Sequence, residues 1–132
     1  LTLKLDEKKQ KIFGLDRVNL QKRLYIVEGP IDSLFIDNCL AAAGADLQLP
    51  VEKKDVVFVF DNEPRNKQII DRMYRVIEKE YMLVIWPEGQ VEKDINDMIM
   101  NGKSKSDIQK IISENTYSGL SALTQLNSYK RC

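Results

Sequence analysis

Apolar residues along this chain gather into short continuous runs, and between the runs they recur every three or four positions. The first run, Leu24-Tyr25-Ile26-Val27, has the length and side chains of a buried strand. It stops at Glu28-Gly29-Pro30, where glycine breaks the strand and proline suits the first turn of a helix. Ile31, Leu34, Phe35 and Leu40 follow at roughly helical spacing, with Gly44 as a natural stop. Leu47 to Leu49 then reads as a short second strand closed by Pro50. Val56-Val57-Phe58-Val59-Phe60 carries the strongest strand signal, five consecutive residues that are β-branched or aromatic. After the polar turn Asp61-Asn62-Glu63-Pro64-Arg65, the stripe Ile69, Ile70, Met73, Val76 and Ile77 predicts an amphipathic helix. Met82-Leu83-Val84-Ile85-Trp86 predicts another buried strand, and shorter helical patterns fill the rest, with Ser106 and Ser118 as caps.

That alternation predicts an α/β domain built on a mainly parallel sheet of about four strands flanked by helices, with a helical C-terminal tail. Residues 1–23 form a weakly periodic lead-in with Lys8, Lys9 and Lys11 exposed, 24–102 form the core, and 103–132 form the tail. In such sheets ligands bind beyond the carboxyl ends of the strands, so polar residues there deserve the closest reading.

Composition narrows the chemistry. A length of 132 residues suits one domain with one core, and no apolar run approaches the roughly 20 residues of a membrane span. The chain begins at Leu1 rather than Met, which suggests a piece of a longer protein, and its two cysteines fit a reducing cytoplasm. Twenty basic and twenty acidic residues cancel. A free-standing nucleic-acid binder usually carries a positive excess, so any polymer would be held by other parts of the full protein. Cys39 and Cys132 make neither a disulfide framework nor a metal-ligand spacing, and Cys39 reads as a small core filler. There is no histidine, which removes the usual general base and the commonest zinc ligand.

Carboxylates remain, in three groups at strand ends. Glu28 and Asp32 stand four apart across a strand-to-helix turn. Asp61 and Glu63 stand two apart in an extended turn, and Asp94, Asn96 and Asp97 follow the last strand. If the strands before Glu28 and Asp61 are neighbours, the acids meet and repel, a cost that a divalent cation removes. Magnesium takes carboxylate oxygens and substrate phosphates, and a pair of such ions about 4 Å apart can stabilise attacking and leaving oxygens in phosphoryl transfer. Convergence on one cation requires Leu24–Val27 and Val56–Phe60 to be adjacent and parallel, in the order 2-1-3-4 with right-handed crossovers. Taken singly, the acids also read as structural: Asp32 and Asp97 as caps or solvated turn residues, and Asp61 as the cap of the next helix with Pro64 in its first turn. Glu28, a poor capping residue directly after a buried strand, resists that reading. Arg65 and Lys93 read as solvated surface.

Glu28-Gly29, then Asp61-Asn62-Glu63, then Lys93-Asp94-Ile95-Asn96, in this order and on these elements, resemble the Toprim family. That family includes bacterial and phage primases, topoisomerases, nucleases and recombination mediators. The stretches Tyr25 to Phe35, Asp61 to Arg65 and Lys93 to Ile99, with Lys11-Ile12-Phe13-Gly14 before them, look specifically like the DNA primases of tailed phages. Glu63 departs from the aspartate most of the superfamily has, and reaches one methylene further. The resemblance implies that Glu28 is a metal ligand or general acid/base, that Asp61 and Glu63 are metal ligands, and that Asp32 and Asp94 complete the shell through water. It implies Mg2+, replaceable by Mn2+, and synthesis of short RNA primers from ribonucleoside triphosphates on single-stranded DNA beside a replicative helicase. The primases it resembles also carry a zinc ribbon and a basic amino-terminal part, which two cysteines and a neutral charge do not supply here. The resemblance therefore implies that this piece binds metal but primes weakly or not at all alone. A Toprim nuclease, or a non-catalytic module holding a structural cation or a protein partner, would use the same acids differently.

Overall fold

The structure of the chain, a computed structural model, describes residues 12–14, 17–42 and 55–130. Lys8, Lys9, Lys11, Gly44, the expected strand Leu47–Leu49, Pro50 and Cys132 lie outside the described residues. Six strands make one sheet: β1 (Ile12–Phe13), β2 (Leu24–Val27), β3 (Cys39–Ala42), β4 (Val56–Val59), β5 (Met82–Val84) and β6 (Thr116–Tyr117), in the order β1-β3-β2-β4-β5-β6. The four inner strands are mutually parallel, and the two outer ones pair antiparallel with them. The fold is thus α/β with a mainly parallel sheet, as the alternating pattern predicts. The inner order, second-first-third-fourth along the chain, is the expected 2-1-3-4, and β2 and β4 are adjacent and parallel.

The identity of the second strand differs from expectation. Only Pro30–Ser33 forms a helix (α1), and Cys39–Ala42, read in part as its continuation, is a fully buried strand between β1 and β2. Leucine and alanine are good helix formers, so local preference pointed away from a strand that tertiary burial imposes. Asn38 makes the turn into it with a left-handed φ of 53°. Its side chain accepts from the Asn19 N–H and donates to the carbonyls of Asn19 and Arg23. Cys39 is buried, which pushes its thiol up to about 12, as suits a core filler.

Helix α2 (Lys67–Glu78) buries the stripe Ile69, Ile70, Met73, Val76 and Ile77. Its cap is Asn66, whose side-chain oxygen accepts from the N–H groups of Gln68 and Ile69. Asp61 is therefore not the cap, and Pro64 lies in the turn before the helix. Helices α3 (Ile95–Met100), α4 (Lys105–Glu114) and α5 (Gly119–Tyr129) follow β5, with β6 between the last two. Ser104, rather than Ser106, caps α4 in a reciprocal box with Asp107, while Ser118 stands at the cap position of α5 without a side-chain bond. No helix among the described residues is long and apolar enough to cross a membrane.

Asn38→Ala removes three hydrogen bonds and sets a β-carbon residue without local polar help in the left-handed region. We expect a loss of about 2 kcal/mol in urea unfolding, and about half as much for Asn38→Gly, which tolerates the backbone. Equal losses for both variants would show that the hydrogen bonds alone hold the turn.

Candidate functional site

The register of β2 against β4 opposes Val27 to Val59, so the two strands end together at one edge of the sheet. Glu28 leaves β2 there, and Asp61 leaves β4 one residue after Phe60. Trp86, beyond β5, reinforces this edge by donating its indole N–H to the Phe60 carbonyl at 2.8 Å. The strand ends thereby bring their acids to one edge of the sheet.

Asp32 does not cap its own helix. Gly29 occupies that position, and the Asp32 carboxylate reaches the start of α3 and accepts from the Asn96 N–H at 3.1 Å. Asp94 caps α3 by accepting from Asp97 N–H at 2.8 Å. Two carboxylates thus share the orphan donors of one short helix, which joins the first and third acidic groups. Burial, above all, raises the Asp32 carboxyl, followed by the opposing Asn96 hydrogen bond and the repulsion of Asp94 and Asp97. Asp61 is pushed up to about 6, first by burial and then by the charges of Asp32, Asp94 and Glu63, with Lys93 pulling the other way. Lys93, otherwise exposed, lies 4.0 Å from a Glu63 oxygen.

Asp32, Glu63 and Asp94 are therefore gathered closely enough around Asp61 for it to feel their charges. Glu28 is engaged elsewhere, with its Oε2 bonded to Nη1 of Arg72 on α2. Among the described residues no three acids or cysteines stand ready-made around one point as a ligand set. The chemistry of the donors nonetheless fits a hard divalent cation: they are all oxygen, they repel one another, and one of them is driven toward its neutral form.

Sequence reasoning missed three residues. Arg72 lies three positions after Ile69 and four before Val76, on the margin of the buried stripe, and that register was its only signal. Asn62 donates to the carbonyls of Gln90 and Glu92 and accepts from the Tyr129 hydroxyl, so it pins the loop before Asp94 and the end of α5 to the acidic turn. Glu92 is 8% exposed, and its carboxylate accepts from Gln90, Asn101 and Lys103. The Asn101 hydrogen bond is the main cause holding that carboxyl below the ordinary range. A cavity of about 290 Å³ lies beside the acids rather than on them: Asn62, Pro64, Trp86 and Tyr129 line it, but neither Asp61 nor Glu63 does.

The chain is 36% identical, over 135 aligned positions, to the DNA primase of Enterobacteria phage T4. The match covers 99% of this chain and 39% of that primase, and likeness at this level over nearly the whole chain marks the two as homologous. No protein-family model matches the chain.

The raised Asp61 pKa fixes the sign of a pH effect. A carboxyl at about 6 in the fold, against 3.8 as its reference value, makes ionised Asp61 a cost that is full above pH 6 and vanishes below the reference value. Without metal, Asp61→Asn should therefore melt higher than the parent at pH 7.5, and the advantage should shrink through pH 6 and disappear near pH 4. Differential scanning calorimetry in EDTA measures both. A variant melting lower at pH 7.5 would mean that Asp61 holds the fold together rather than straining it.

Proposed function

We propose that the chain is the metal-binding catalytic unit, of Toprim type, of a DNA primase that joins ribonucleotides into short RNA primers on single-stranded DNA. The observation that carries the reading is the in-register parallel pairing of β2 and β4, which brings Glu28 and the Asp61–Glu63 turn to one edge of the sheet. The homology to a phage DNA primase supports the reaction class, and the chain spans about two fifths of that relative's length. The rest of primer synthesis, including grip on the template and contact with a replicative helicase, belongs in this reading to other parts of the full protein. A chain with equal numbers of basic and acidic residues is poorly suited to hold a polyanion alone.

In this reading Asp61 and Glu63 hold Mg2+, or Mn2+ in its place, with Asp32 and Asp94 completing the shell through water and Glu28 acting as a ligand or as general acid/base. The ion supplies charge neutralisation at the triphosphate. Asp32 and Asp94 orient one another's surroundings through the start of α3, and Lys93 offsets part of the negative charge while the site is empty of substrate. Asn62 fixes the spacing between the second and third acidic groups by binding the 90–92 backbone.

Two experiments test this. Titration of the chain with Mn2+, followed by water-proton relaxation, should show binding that Asp61→Asn abolishes; unchanged binding would put the ion elsewhere. In the complete natural polypeptide, Glu28→Gln keeps the shape of the side chain and removes its charge. Priming should fall by roughly two to four orders of magnitude with template affinity almost unchanged. Priming within a few-fold of the parent at saturating Mg2+ and nucleotides would remove Glu28 from the mechanism.

A further inference from the structure

Glu28 differs from Asp32 and Asp61 in being hydrogen-bonded to a cation of the protein's own. Its Oε2 accepts from Nη1 of Arg72, 44 residues away in the chain, in an ion pair that ties the end of β2 to the middle of α2. Both side chains are part-buried, 34% exposed for Arg72 and 26% for Glu28, so solvent screens the pair only in part. Asp32 and Asp61, by contrast, are raised by burial and by like charge. One carboxylate is thus neutralised locally while its neighbours repel.

Resting on the reading of the edge as a divalent-metal site, we infer that Arg72 is a positioning residue that competes with the metal for Glu28. It holds that carboxylate in the metal-free protein and gives it up when a divalent cation binds. A guanidinium and a dication drawn to the same carboxylate repel one another, so each weakens the other's hold on it. Arg72 is exposed enough to swing outward once displaced, and a planar guanidinium that keeps its charge can then meet a phosphate oxygen of an incoming substrate. In this reading Glu28 joins the ligands only after leaving Arg72, which agrees with the absence of a ready-made ligand set among the described residues.

The test is a double-mutant cycle on Mn2+ affinity in the full chain, with Arg72→Gln, Glu28→Gln and the double variant, and with Arg72→Lys in case the glutamine variant folds poorly. Arg72→Gln should melt lower than the parent without metal, bind Mn2+ about tenfold more tightly, and recover its melting temperature at saturating Mn2+. Arg72→Lys, which keeps the charge but loses the fork, should shift affinity in the same direction by less. In the Glu28→Gln background the Arg72 substitution should leave Mn2+ affinity unchanged. An equal gain there would mean that Arg72 acts through its general field, and this would overturn the competition. Unchanged or weaker binding by Arg72→Gln would overturn it too, leaving the ion pair a structural strut. If even the parent chain binds no Mn2+, the metal reading itself fails and the inference with it.

Discussion

Neighbouring parallel strands in register finish at the same edge, and whatever follows them must share that space. Here the residues that follow are Glu28 and the Asp61–Glu63 turn, so the pairing of β2 with β4 brings acids to one edge, where Asp61 feels the charges of Asp32, Asp94 and Glu63. The hydrogen bonds of the ladder and the burial of Val56 to Val59, which are between 0 and 3% exposed, outweigh that repulsion. Much of the remaining structure around the edge can be understood as compensation. Asp32 and Asp94 draw on backbone N–H groups at the start of α3, Glu63 has Lys93 nearby, and Glu28 has Arg72.

The compensation is uneven, and that is informative about chemistry. Glu92 shows what a carboxylate looks like when the fold intends it to be structural: nearly buried, with Gln90, Asn101 and Lys103 all directed at it and its proton affinity lowered. Asp61 shows the reverse, an elevated proton affinity. The two lie on segments tied together by Asn62, so the contrast arises within one small region. Acids left strained beside acids fully satisfied are the pattern expected where a ligand completes the site.

Three of the four parallel strands were legible as continuous apolar runs, β4 most clearly because all its residues are β-branched or aromatic, and their endings placed the acids. Cys39–Ala42 was not legible, since leucine and alanine say helix when read locally and only the space between β1 and β2 makes them a strand. Capping assignments failed by a few residues for a related reason. Asp61, Asn66, Ser104 and Ser106 are all competent caps, and the choice among them depends on where the chain leaves the sheet. The acids at the strand ends were visible as candidates, while the buried carboxylate of Glu92 was not. The partners within the site were not visible either, because Arg72 with Glu28 and Tyr129 with Asn62 are contacts across 44 and 67 residues that no local spacing encodes.

Both margins of the described sheet are strands of two residues, β1 and β6, running antiparallel to an interior of almost wholly apolar strands. An edge that short offers another molecule few free N–H and C=O groups to pair with. The inner strands Leu24–Val27 and Val56–Val59, uncovered, would be strong seeds for intermolecular β-stacking. The small outer strands therefore act as guards on colloidal behaviour. Aggregation should begin from partly opened molecules in which β6 has peeled away with α5, leaving β5 as a bare edge.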